Sequence, residues 1–239
     1  MGKVIVSGGC RATIPTVEIL ANTLEIGTAV KLMEDGIATE FLVVHQGLPS
    51  DLYDESCNGT WLLRKDIKEN RIWNSSGSTN IYSTSAINTY LNGDYFNALG
   101  SIEQSAIKQV KIPYVNGTGQ ASVSNGANGL SVKVFLLGCY EVGWTTSTNS
   151  YIFADGAKLS YFESGEGTFA ANKRVAYLNN TADTYWLRVP RKSSTDTTST
   201  VSDAGGYMGQ DVYYSNGVRP ALIIPSTSRF DRNTLLLKG

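Results

Sequence analysis

The chain has 239 residues, 41% of them hydrophobic and only 17% charged, with 20 Lys and Arg against 21 Asp and Glu. A net charge of -1 excludes a nucleic-acid binder driven by overall basicity, because such binding rests on neutralising phosphates. The length permits a sizeable core without covalent staples, and a polar surface drawn from Gly, Ser, Thr and Asn fits a loop-rich β or α+β protein.

In chain order, residues 1–27 read as an N-terminal arm, with Val4-Ile5-Val6 a short strand and 16–26 a mildly helical or extended stretch ended by Gly27. The apolar start gives way at once to Ser7-Gly8-Gly9, too short for a secretory leader. No apolar run approaches bilayer length, so a soluble product of the host cytoplasm without membrane insertion is expected. Ala29 to Met33, Asp35-Gly36, then Ala38 to Val44 predict a β-hairpin, since Asp-Gly between apolar runs favours a tight turn. Trp61-Leu62-Leu63-Arg64 predicts a further strand.

Two helices are expected. One spans about 83–91, capped by Ser83, Thr84 or Ser85 and ended by Asn92-Gly93. The other spans about 102–110, with Ser101 and Gln104 forming a capping box ahead of Pro113. Residues 131–139 form a nearly continuous apolar run that belongs in the middle of a sheet. Residues 140–184 read as irregular, with turns at Asp155-Gly156 and 164–167. Tyr185 to Val189 is a strand stopped by Pro190, 193–203 a polar loop, and 212–224 a closing strand pair. Residues 226–239 form a C-terminal tail, polar and then apolar at Leu235-Leu236-Leu237. One α+β domain with an arm at each end is the economical reading.

Four segments recur in order: Tyr82 to Asn92, Lys133 to Val142, Trp186-Leu187-Arg188-Val189-Pro190, and Gly217-Val218-Arg219-Pro220-Ala221-Leu222. Together they resemble an uncharacterised C-type-lectin-like domain family of Gram-positive bacteria and their phages, over about residues 28–225. That fold is related to formylglycine-generating enzymes and to the variable receptor-binding proteins of phages. The resemblance implies central strands that hold up long irregular loops, and it carries no established activity.

The chemistry-bearing residues are sparse. Cys10, Cys57 and Cys139 are too few and too scattered for a disulfide framework, and three reduced thiols are expected. His45 closes an apolar run and reads as a strand-end residue. A thiol oxidoreductase of the sulfatase-modifying kind would need Cys57 and Cys139 to meet beside a cation. Asp196, Asp203 and Asp211 could ligate a hard cation, but a solvated role is expected, with no metal and no cofactor. Trp186, Arg188, Gly217 and Arg219 are read as framework, the arginines bonding loop carbonyls or carboxylates and Gly217 allowing positive φ after Asn216. The candidate ligand-binding residues are Tyr207, Met208, Tyr213, Tyr214 and Asn216, because Tyr among Gly and Ser gives rigid contact area on adaptable backbone. Tyr151, Phe153, Tyr161 and Phe162 form a second aromatic cluster.

The function expected is that of a non-enzymatic phage virion structural protein, decorating a capsid or tail and recognising a host-surface glycan or protein. Its arms would contact other virion proteins and further copies in a homo-oligomer, because their apolar residues have nothing local to bury them. A bacterial cell-surface module is the alternative binding reading.

Overall fold

The computed structural model describes residues 17–74 and 79–239. Val4-Ile5-Val6 and Cys10 lie outside the described residues. The fold is mixed α/β, made mostly of small antiparallel sheets with a few short helices.

The first sheet has five antiparallel strands in the order Val134–Phe135, Ala221–Ile224, Gly59–Arg64, Ile37–Gly47 and Ala29–Glu34. The predicted hairpin forms, with Asp35 at φ 51° and Gly36 at φ 76° making the turn. Both faces of this sheet are buried. Leu42, Val44, Trp61, Leu63, Phe135 and Ile223 fill one core, and Phe41, Val43, Leu62, Val134, Leu222 and Ile224 fill the other. Strands covered on both sides need no polar alternation, so they read as continuous apolar runs.

The second sheet runs in the order Tyr207–Asp211, Thr197–Val201, Tyr185–Pro190, Ser215–Val218 and Glu69–Ile72. Its one parallel pairing joins Tyr185 to Gly217. Side chains of Tyr185–Pro190 enter both cores, Leu187 and Val189 on one side and Trp186 on the other.

Several expectations are corrected. The run 131–139 is not mid-sheet: Val134–Phe135 is an edge strand, after which the chain leaves the ladder. Its backbone is then satisfied by side chains, with the Leu136 N–H donating to the Tyr82 hydroxyl (3.1 Å) and its carbonyl accepting from Arg188 (3.0 Å). The closing strand pair is not a pair, because Ser215–Val218 and Ala221–Ile224 belong to different sheets. The expected polar loop 193–203 contains a strand, Thr197–Val201, which pairs in register with Tyr207–Asp211. Gly217 is not at positive φ. A Cβ there would lie 2.7 Å from Ile67 Cγ2, so close approach is what requires glycine.

The first helix, Ala86–Tyr90, is capped by Ser85, whose hydroxyl accepts from the Asn88 N–H at 3.1 Å. It does not stop at Asn92-Gly93 but continues through a wider turn to Ala98. Asn92 instead accepts from the Lys133 and Val134 N–H groups. The second helix is Ser101–Ala106 with Gly100 as its N-cap, so Ser101 lies inside it and the capping box does not form. Val110 lies in a strand beyond that helix, and Ile102 is exposed.

The tail is not free. Arg229–Asp231 pairs with Glu18–Leu20 on one side and Leu237–Lys238 on the other, a third sheet. Phe230 and Leu237 are 0% and 2% exposed in the second core. The expectation that Leu235 to Leu237 have nothing local to bury them is therefore wrong: Leu237 pairs with Phe230 of the same tail and both enter the second core, against which Leu235 also packs.

Candidate functional site

The centre of the fold is an ion cluster. Arg188 is fully buried and donates through both terminal nitrogens to Glu141, at 2.6 and 2.7 Å. Its remaining donors take the carbonyls of Pro113 (2.9 Å), Leu136 (3.0 Å) and Asp155 (3.3 Å). Glu141 also accepts from the Tyr53 hydroxyl and the Gly138 N–H, each at 2.8 Å. One arginine thus ties four stretches of otherwise irregular chain to a central strand, using charge-assisted bonds that outlast neutral ones. A Cβ at Gly138 would collide with the Asp155 carboxylate, so only glycine fits there.

Arg219 works the same way without an acid. It donates to the carbonyls of Arg64 (3.0 Å) and Lys65 (2.9 Å) and to the Tyr185 hydroxyl (3.1 Å). Trp186 donates its indole N–H to the Arg71 carbonyl at 2.8 Å and packs edge-on against Trp73.

Asp155 is the exception in this cluster. One of its oxygens accepts from the Tyr140 N–H (3.2 Å), while the other has no partner and lies 3.8 Å from Arg188. Burial pushes its carboxyl up to about 6, with Arg188 opposing and Glu141 adding to the rise. Against an ordinary 3.8, this corresponds to about 3 kcal/mol favouring the protonated form in the folded state. A raised folded value gives stability that is present below pH 4 and lost as pH rises through 6. Asp155→Asn should therefore gain stability relative to the parent between pH 4.5 and pH 7.5, by about 2–3 kcal/mol. Urea unfolding of both proteins at the two pH values checks this, and a constant difference would refute it.

The thiols are poorly placed for catalysis. Cys57 and Cys139 are both free and buried. Burial pushes Cys57 up to about 12 and Cys139 well above its ordinary range. Cys57 donates its S–H to the Lys111 carbonyl at 3.2 Å. His45 sits in strand Ile37–Gly47, its Nδ1 accepting from the Ser160 N–H at 3.3 Å and lying 2.8 Å from the Ser160 hydroxyl. Burial lowers its pKa. Asp196 and Asp211 are used by Ser194 and Thr197 hydroxyls.

The five candidate binding residues do not form one surface. Asn216 is 8% exposed within its strand. Tyr213 and Tyr214 are 60% and 59% exposed on the turn before it. Tyr207 and Met208 lie elsewhere, on the edge strand of the second sheet. There they meet Thr148, Asn149, Ser150, Tyr151 and Arg191 around an open groove of about 470 Å³. Of the second aromatic cluster only Tyr151 reaches this groove, while Phe162 is buried against Tyr161.

Both walls of the groove are tied to the fold. Tyr207 packs edge-on against the buried Trp144, centroids 5.6 Å apart. The opposite turn holds itself: the Asn149 side chain accepts from the Tyr151 N–H (2.9 Å), and the Tyr151 carbonyl accepts from the Lys192 N–H (2.7 Å). The Arg191 guanidinium lies over the Tyr151 ring, 4.0 Å from its centroid. Sequence reasoning missed Arg191, Glu141 and Asp155. Only the position of Arg191 directly after the strand-ending Pro190 could have flagged it.

A family model described as a domain of unknown function (DUF6273) matches residues 58–226. That span contains the second sheet, the ion cluster and the whole groove. No curated protein and no solved structure matches the chain.

Proposed function

This chain belongs to the DUF6273 family, and we propose that it is a non-enzymatic structural protein of a phage particle, a C-type-lectin-like domain whose groove recognises a host-surface glycan. The observation that carries this reading is the groove itself. The rings of Tyr151 and Tyr207, the Met208 thioether and the Asn149 amide line one groove, which is the make-up of a small-molecule or sugar site. Burial holds the Cys57 and Cys139 thiols protonated, which speaks against thiol chemistry at either of them.

Assembly with other virion proteins, or as a homo-oligomer, remains part of the proposal. The C-terminal tail offers a partner no apolar surface at Leu237, which is buried inside the fold. Labelled full chain should bind host cells, and Tyr151→Ala should abolish that binding without unfolding. Proteomics of gradient-purified particles should find the chain in fixed ratio to capsid or tail proteins. A chain found only on phage-free cell surfaces would move the assignment to a bacterial surface module.

A further inference from the structure

We infer that the groove selects a carboxylate-bearing sugar, with Arg191 as the residue that takes the carboxylate. This deepens the glycan-binding reading and rests on it.

Arg191 is half-buried, and its Nε–H is shielded from solvent without a hydrogen-bond partner. Among the described residues, the other buried or half-buried arginines all donate to a carboxylate or a carbonyl: Arg64, Arg71, Arg174, Arg188 and Arg219. A partly desolvated guanidinium with no acceptor is costly unless something supplies one. Stacking on Tyr151 uses the face of the group and leaves its terminal nitrogens, which make no hydrogen bond among the described residues, to a ligand in the groove that Arg191 lines. The stem of Arg191 packs closely on Gly209, where a Cβ would come within 3.0 Å of Arg191 Cδ, so the glycine lets the guanidinium lie flat beside the strand.

The rest of the lining is neutral: hydroxyls from Thr148 and Ser150, the Asn149 amide, Tyr207 and Met208. No carboxylate competes for the cation within it. A planar fork of donors matches a carboxylate bidentately, and the rings and hydroxyls beside it suit the face and hydroxyl groups of a pyranose. Fixed orientation of the guanidinium reduces the ordering cost of binding.

The test uses trimers of galacturonate, glucuronate and mannuronate, each compared with its methyl ester. The ester keeps every hydroxyl and removes the charge. Titration calorimetry on the full chain should show at least one acid bound tenfold or more tightly than its ester. Arg191→Gln should abolish that preference, and Arg191→Lys should keep only part of it. Acid and ester binding equally, both lost in Tyr151→Ala, would overturn selection by charge while leaving sugar binding intact. No binding of any trimer would overturn both. Inorganic phosphate bound as tightly as the best trimer would overturn the sugar assignment.

Discussion

Substituting Arg188 by Met is expected to lower the stability of the domain by about 3–5 kcal/mol, the usual cost of removing one partner from a buried ion pair. The damage comes from what is left behind. Glu141 loses two bonds of 2.6 and 2.7 Å, and the carbonyls of Pro113, Leu136 and Asp155 lose their donor. Each buried acceptor left unsatisfied adds its own desolvation cost. Domains of this kind hold about 5–15 kcal/mol in all, so one side chain carries a large share. The loss should shrink in acid, where the buried Asp155, its carboxyl already pushed up to about 6, takes a proton and no longer needs the guanidinium. Replacing Glu141 by Leu in the same background should recover part of it, because the pair would then be removed together. Urea unfolding of the two single variants and the double variant at pH 5 and pH 7.5 checks all three statements. A loss below about 1 kcal/mol for Arg188→Met would show that the cluster is not what holds the irregular chain.

The legible parts of the fold were those whose cause is local. Asp35-Gly36 sets its own φ angles, and Trp61-Leu62-Leu63 advertises burial on both faces. Arg188 and Arg219 stood out because arginine in an apolar strand must find acceptors. Their partners did not stand out. Glu141 lies 47 residues from Arg188, and nothing distinguishes a carboxylate that will be buried from one left in water. The stretch 193–203 looked like loop because Ser and Thr dominate it. Yet Thr198 to Thr200 are wholly buried, with Thr198 and Thr200 bonding backbone carbonyls of the neighbouring strands. Composition describes a segment, whereas pairing depends on a second segment that composition does not see. For the same reason only Tyr207 and Met208 of the expected binding set reached the groove: its other wall arrives from residues 148–151, through contacts across the sheet edge.

Deleting residues 226–239 is expected to cost more than any single core substitution, about 5 kcal/mol or more, and so to leave the domain largely unfolded or marginal. Phe230 and Leu237 are buried in the same core as Val30, Leu32 and Leu24, and large-to-small changes at such sites cost about 2–5 kcal/mol each. The backbone is committed as well. The Lys31 N–H donates to the Leu235 carbonyl at 2.7 Å, and the Arg232 N–H to the Val17 carbonyl at 2.9 Å. Leu237→Ala alone should lose about 2–4 kcal/mol, measured by urea unfolding at equal protein concentration. The two accounts of the tail predict opposite outcomes. A docking arm could be removed to give a folded monomer with an unchanged midpoint. A sheet strand cannot, because its removal exposes the Phe230 side of the core and strands the edge of Glu18–Leu20. An unchanged midpoint after deletion would return Leu235 to Leu237 to the assembly surface and overturn the packing described for them.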